Sequence, residues 1–421
     1  MKRLHARFKL AFSRWGLVLA ILGPGLITAS ADNDAPGIAT YSMVGSTYGY
    51  SFLWLLLLVT VGEVIVQETA ARMGAVTGKG TTDLIRERFG VKMTAFAMLC
   101  LLLANLGTTV AQFAGIAAAT ELLGASRYIT VPLAALLVGS VVLRGNYKNV
   151  EKVLLVLCLS AFAYVISAFM VRPPWGEVLH QAVIPTVRWD SGFILAVLAT
   201  IGTTITPWGI VYIQASVADK GVDLKNYCLT RVDVTLGALW GNIVSAFIII
   251  CTAATLFVVG VSVETAEQAA MALEPLAGMG ARYLFAVGLL GASLLAASVL
   301  PLSTTYAVCE AFGWERGLDH RPREARVFYD LYVGIIVLSV LTVLIPGVPL
   351  FSLMWLSQSM NAILLPVMLV LVLKLVNDRQ IMGDWVNTRF QNLFSWFLVV
   401  IIALITVGLF ISPLFGVSPI S

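Results

Sequence analysis

Charge is what this chain has least of. Asp, Glu, Lys and Arg make up 12% of its 421 residues, against 59% apolar residues and a mean hydropathy of +0.91. Soluble domains carry about a quarter charged residues, so a water-soluble globule is excluded. Histidine is almost absent: His5, His180 and His320 are all there are, and each falls in a tail or between apolar runs. No expected membrane segment therefore holds the side chain best suited to change charge near neutral pH. The five cysteines, Cys100, Cys158, Cys228, Cys251 and Cys309, are odd in number, scattered, and without metal-ligand spacing, which argues against a disulfide framework or a thiolate metal site. No solenoid-length repeat and no low-complexity stretch is visible.

Long apolar runs are present instead. At about 20 residues per crossing the chain has room for roughly ten to twelve membrane helices and little else. Eleven are expected, near 15–47 (broken), 50–73, 93–120, 128–143, 150–171, 191–218 (broken), 232–260, 281–311, 326–346, 349–374 and 392–414. The expectation is one transmembrane domain over residues 1–421, all-α and polytopic, with the lipid bilayer as its environment. With the N-terminus cytoplasmic and the C-terminus outside, 23 of the 27 Lys and Arg residues fall on the inner side, leaving Arg127, Arg172, Arg188 and Arg282 outside. Inner loops carry such an excess. The net charge of +4 then reflects topology and does not imply a nucleic-acid partner. Residues 1–31, with Ala29-Ser30-Ala31, also have the outline of a cleaved signal peptide. Gly23-Pro24-Gly25 and the polar break that follows fit a retained helix better.

Two polar, helix-breaking segments interrupt the apolar pattern. The first is Asp32-Asn33-Asp34-Ala35-Pro36-Gly37; the second is Gly202-Thr203-Thr204-Ile205-Thr206-Pro207-Trp208-Gly209, about half a chain later. Lipid offers nothing to unpaired backbone groups, so broken helices occur at membrane depth only where they line a cavity or are buried in protein. A pair of interrupted helices at corresponding positions of two halves points to a central binding site. An acid at such a place is a functional-site hypothesis by default.

The two segments resemble the broken helices of the Nramp family of divalent-metal transporters. Family members break the first helix at Asp-Pro-Gly-Asn and the sixth at Met-Pro-His. Tyr48-Gly49-Tyr50-Ser51 and Leu53-Trp54 set the register, so Asp34-Ala35-Pro36-Gly37 takes the place of the first motif. Ile201-Gly202-Thr203-Thr204-Ile205-Thr206-Pro207-Trp208 takes the place of the second, with Thr206 for Met and Trp208 for His. Leu84-Ile85-Arg86-Glu87-Arg88, Arg231-Val232-Asp233 and Leu356-Ser357-Gln358 extend the resemblance over nearly the whole chain. It implies a LeuT-like inverted repeat, approximately 15–171 and 191–374, with helices 1 and 6 broken and an eleventh helix near 392–414. Of the family's carboxylate, amide and thioether donors only the carboxylate, Asp34, remains in place. Such departures are those of the divergent Nramp-related magnesium transporters, which the chain resembles most.

The donors tell the same story without the family. Side chains at the breaks offer oxygen: Asp32, Asn33 and Asp34, with Thr203, Thr204 and Thr206. Carboxylate, carbonyl and water suit Mg²⁺ and Mn²⁺, whereas a thioether favours softer metals. Mg²⁺ gives up water reluctantly and is held through one or two carboxylates with several waters retained. Asp34, Ala35, Thr203, Thr206 and Gln358 are the expected ion contacts, Ala35 and Thr203 through their carbonyls and Gln358 through an ion-bound water. Gly37, Trp208 and Asp32 are expected to line the site. Each has a structural alternative: Asp34 as a helix N-cap, Thr206 bonded to a backbone carbonyl, Trp208 as packing, Gln358 as a helix–helix hydrogen bond. Glu63, Glu68, Glu310 and Asp330 are read as lying near helix ends or in pairs, with no role.

Where family members carry acids of a proton route in the third helix, this chain has Thr109 and Gln112. A relay needs ionisable groups in series across the membrane. The expected function is import of Mg²⁺, and of Mn²⁺, as a partly or fully hydrated ion by alternating access without proton coupling, in a plasma membrane of bacterial inner-membrane type. No enzyme activity, cofactor or obligatory protein partner is expected. The alternatives are a proton-coupled Mn²⁺/Fe²⁺ carrier and an amino-acid carrier on the same scaffold. An intramembrane aspartyl protease is disfavoured, since no Gly-x-Gly-Asp and no second acid facing Asp34 can be found.

Overall fold

The structure, a computed structural model, describes residues 33–143, 162–222, 224, 227–315 and 323–411. Among them every regular element is helical. The first half comprises α1 (Ala35–Tyr48), α2 (Leu53–Thr77), α3 (Thr81–Leu122), α4 (Arg127–Leu143), α5 (Phe162–Val171) and the short α6 (Trp175–Val183). The second comprises α7 (Ser191–Thr204), α8 (Pro207–Asp219), α9 (Tyr227–Thr252), two short connecting helices α10 (Ala266–Met271) and α11 (Glu274–Ala277), and α12 (Ala281–Phe312). It closes with α13 (Arg326–Val343), α14 (Leu350–Val376), the one-turn α15 (Arg379–Met382) and α16 (Arg389–Ile411). Eight of the described helical stretches are long and apolar enough to cross a bilayer, and α4 is a shorter apolar helix. The segments expected before Asp34 and over most of 150–171 lie outside the described residues, as do Asp32, His5, His320 and Cys158.

Local chemistry fixes most helix ends. α2 stops at Gly78, whose φ of +62° is the left-handed cap that glycine adopts without a Cβ clash. α3 kinks at Gly90 (φ +75°, ψ 175°), which separates a partly exposed amphipathic start carrying Arg86, Glu87 and Arg88 from the apolar run that follows. Inside the helices, Ser and Thr hydroxyls bond the carbonyl one turn back, as Thr108, Thr109, Thr200, Thr204 and Thr252 do. That habit satisfies a hydroxyl where water is excluded.

Burial separates centre from rim. The α7–α8 apolar window is 83% buried, whereas that of α16 is 22% buried. α3 packs along α12 and α14, α2 lies against α8 and α9, and α7 lies against α14. α1 sits among α9, α14 and α7, so the start of α1 and the α7–α8 break are in the core. The rim presents large apolar side chains outward, such as Leu136 of α4, Leu341 of α13 and Leu404 of α16, which suits lipid. Close helix approach rests on small residues, as in membrane bundles generally. At Gly202 of α7 the facing backbone of Gln358 and Ala362 on α14 comes so near that a Cβ would collide with it, Ala362 N lying 2.7 Å from its position.

Candidate functional site

Asp34 is the start signal of α1. Its backbone is extended (φ −81°, ψ −179°), its carboxylate Oδ1 accepts the Gly37 N–H at 2.8 Å, and Pro36 occupies the first turn. Both features are favoured at a helix N-terminus. The Asp34 carbonyl already accepts the Ile38 N–H at 2.9 Å, so the helix is fully formed from Ala35 onward. α8 begins in the same manner half a chain later: Thr206 is the extended cap (φ −93°, ψ 135°) and Pro207 the first helical residue. α7 ends at Thr204, and the unwound link between the two helices is Ile205–Thr206.

A side chain outside the expected site set completes the surroundings of Asp34. Gln112 of α3 donates from Nε2 to Asp34 Oδ2 at 2.5 Å, and its Oε1 accepts the Ala35 N–H at 3.4 Å. One amide therefore grips both the carboxylate and the first helical N–H. Asp34 is 4% exposed and Gln112 fully buried. In the sequence Gln112 stands out only as a non-ionisable residue where Nramp proteins carry an acid. Nothing in its local pattern signals a contact with a residue 78 positions away.

The other expected site residues are placed as follows. Ala35 is buried and packs against Gly115 of α3. Gly37 meets Asp34 through its N–H and has no side chain to offer. Thr203 lies in the last turn of α7, and Thr206 is buried in the unwound link. Trp208 is fully buried in the first turn of α8. Its ring lies near Tyr212, with centroids 6.1 Å apart, and its carbonyl accepts from Ser303. Gln358 is buried on α14; its Oε1 accepts from Asn361 Nδ2 at 2.9 Å, and Asn361 is bonded in turn to Thr108 of α3. Gln358 thus belongs to a polar seam between α3 and α14, and its own backbone closes on Gly202.

Glu63 requires a correction. It is neither at a helix end nor at the rim but in the middle of α2, 3% exposed. Its carboxylate accepts from Gln67 Nε2 at 2.5 Å and from Asn242 Nδ2 of α9. An acid ten residues into an apolar helix was a signal available in the sequence. Glu68, by contrast, pairs with Arg72 at 3.3 Å, and Asp330 with Arg326 at 3.4 Å. Glu310 accepts from Thr82 at 2.7 Å near the end of α12.

Among the described residues no three His, Cys, Asp or Glu side chains converge to hold a metal ion. The donors around the breaks are accordingly one carboxylate at a time, with amides, hydroxyls and backbone carbonyls.

Helices throughout the described residues, an interrupted α7–α8 pair in the core and a buried carboxylate capping the start of α1 make up the architecture of a LeuT-like transporter. The chain belongs to the Nramp family, described as natural resistance-associated macrophage protein-like, whose profile matches residues 25–412. It is 26% identical over 411 residues to the divalent metal cation transporter MntH of Klebsiella pneumoniae (strain 342), covering 95% of this chain and 96% of that protein. The MntH of Bacillus subtilis (strain 168) is 25% identical over 406 residues, covering 94% and 92%. In fold it is similar to the Eremococcus coleocola manganese transporter, at a TM-score of 0.74 and 21% identity over 94% of this chain and 87% of that one. The more distant MhsT, solved with L-phenylalanine, gives a TM-score of 0.55 at 16% identity, covering 89% and 98%.

Proposed function

We propose that this protein imports Mg²⁺, and Mn²⁺ on the same pathway, by alternating access and without proton coupling. The observation that carries the reading is the Asp34–Gln112 pair. Asp34 supplies the negative charge at the start of α1, and the group holding it is a neutral amide. A carboxylate flanked by an amide can attract a cation without handing a proton on. Thr206 supplies a hydroxyl and Gly37 no side chain where other family members place thioether and amide, so the cation meets oxygen donors and retained water. Asp34, Ala35, Thr203, Thr206 and Gln358 are the proposed ion contacts, with Gly37, Trp208 and Asp32 as lining. Residence in a bacterial inner membrane with a cytoplasmic N-terminus is part of the same proposal.

The energetics allow uncoupled uptake. A membrane potential contributes about 2.3 kcal/mol per charge per 100 mV. For a divalent ion this is roughly 4.6 kcal/mol, a concentration ratio on the order of 2,000-fold. A proton gradient is then unnecessary for accumulation.

The runner-up is a proton-coupled Mn²⁺/Fe²⁺ carrier of the ordinary Nramp kind. An amino-acid carrier is disfavoured because the Asp34 carboxylate occupies the helix start that would receive a substrate carboxylate. Proteoliposomes held at a negative inside potential, loaded with a pH-sensitive dye and given external Mg²⁺ or Mn²⁺, separate these readings. Ion entry without acidification is expected. Acidification that tracks ion entry and disappears in Asp34→Asn would favour the runner-up.

A further inference from the structure

α9 and α16 each pack against α2, and their first turns bound a crevice of about 660 Å³ with α2 as its floor. None of the proposed ion contacts lines it. Ile65 of α2, Val232 and Leu236 of α9 and Phe390 of α16 supply apolar walls, and Val232, Leu236 and Phe390 are 49%, 55% and 62% exposed. The crevice therefore opens sideways, toward lipid.

Polar groups stand at the end where α9 and α16 begin. Arg231 lies one turn into α9, and Thr235 follows one turn further along the same face. Arg231 is exposed, and no acid among the described residues pairs with it. Asp233, two residues on, is turned into the bundle and is 2% exposed. The Thr235 hydroxyl has no protein partner among the described residues. Glu68 also borders the crevice, but Arg72 at 3.3 Å, Gln391 Nε2 at 2.9 Å and the Tyr227 hydroxyl already hold its carboxylate.

We propose that this crevice holds one anionic phospholipid, its phosphate on Arg231 and Thr235 and an acyl chain along Ile65, Val232, Leu236 and Phe390. Three observations carry it. First, the charge is complementary: a guanidinium without an acid partner matches the planar, two-point geometry of a phosphate, and a free hydroxyl beside it adds a third donor. Second, the depth is that of a lipid. From Cys228 to Leu236 the α9 wall descends about 12 Å along the helix, from its first turn into the apolar zone. Trp385, 39% exposed and edge-on to the Tyr227 ring at 5.7 Å, stands at the same end, as aromatic side chains do at headgroup level. Third, an apolar protein segment seated here would cover Arg231 and leave its charge unpaired, which is costly. A phospholipid satisfies the cation and the apolar walls together.

The position gives the lipid a consequence. α16 is the least buried of the long helices, and a lipid wedged between it and α9 ties this rim helix to the core. In the orientation proposed above the crevice opens at the cytoplasmic surface, whose negative potential comes from anionic headgroups. Basic crevices between membrane helices on that side suit such headgroups. The inference goes beyond ion transport and does not depend on which divalent ion is carried.

The test uses the full-length protein in detergent micelles doped with dioleoyl phosphatidylglycerol or, at the same mole fraction, dioleoyl phosphatidylcholine. Two readouts are followed: the thermal unfolding midpoint, which rises with a ligand of the folded state, and the rate at which N-ethylmaleimide alkylates Cys228. Cys228 is exposed and borders the crevice, so a seated lipid shields it. Phosphatidylglycerol should raise the midpoint in a graded manner and slow Cys228 alkylation several-fold relative to phosphatidylcholine. Both effects should disappear in Arg231→Gln, weaken in Thr235→Ala and persist in Arg326→Gln, which removes an exposed arginine outside the crevice. Equal effects of the two lipids would overturn the proposal. So would phosphatidylglycerol effects that survive Arg231→Gln, are unaltered in Thr235→Ala or are lost in Arg326→Gln. The same midpoint shift with sn-glycerol 3-phosphate, which has the phosphate and no acyl chain, would also overturn it in favour of a free-anion site. Should Arg231→Gln not fold, unchanged Cys228 alkylation in the wild type with phosphatidylglycerol suffices to reject the site.

Discussion

Gln112 holds Asp34: its amide donates to the carboxylate at 2.5 Å while taking the Ala35 N–H on its other side. The pair joins the start of α1 to α3. The two-sided grip orders the first turn of α1.

Asp34→Asn separates charge from capping. Asparagine caps a helix about as well as aspartate, whereas alanine costs about 1 kcal/mol at such a position. The Asn variant should express and unfold near the wild-type midpoint, yet lose divalent-ion uptake by about 100-fold or more, on the order of 2.7 kcal/mol. Uptake within a few-fold of wild type in a well-folded Asn variant would place the ion elsewhere.

Gln112→Glu puts a second carboxylate against the first. Two acids in one buried site do not both ionise, and one proton is shared between them. Uptake in the variant should depend on pH more strongly, and at higher pH, than uptake in the wild type. In the variant, uptake should fall as the shared proton is retained at lower pH and recover as pH rises. A variant profile that matches the wild type would show that Gln112 does not act on the Asp34 carboxylate.

Gly202→Ala tests the contact between α7 and α14. The added Cβ meets the Gln358 backbone, which cannot move aside as a flexible side chain would. Overpacking of this kind costs roughly 1–3 kcal/mol. A lower unfolding midpoint and reduced uptake are expected, with the Mn²⁺/Mg²⁺ preference unchanged. An unaltered midpoint would mean that the two helices are not held in this arrangement.

Selectivity should follow the donors. Excess Mg²⁺ should suppress Mn²⁺ uptake in the wild type, because one oxygen-lined pathway serves both. The double variant Gly37→Asn, Thr206→Met adds an amide and a thioether, which favours the softer ion. Its Mn²⁺/Mg²⁺ uptake ratio should rise severalfold in a competition assay. A folded double variant with the ratio of the wild type would remove both positions from the site.

The sequence by itself determined whatever depends on near neighbours along the chain. Apolar run lengths set the described spans, from α2 through α16. Asp34 before Pro36, and Thr206 before Pro207, determined where α1 and α8 begin, because a cap and its N–H lie within one turn. Gly78 and Gly90 fixed an end and a kink through backbone angles that side chains resist. Tertiary structure alone decided which polar groups meet. Gln112 reaches Asp34 across 78 residues, and Asn242 reaches Glu63 across 179, because the rotation and height of each helix in the bundle bring them face to face. Helix rotation is set by packing of small residues such as Gly115 and Gly202 against neighbouring helices, and no local pattern encodes which neighbour that is. Hence the acid at the start of α1 was legible in the residues, while the amide that grips it and the partners of the buried Glu63 were not.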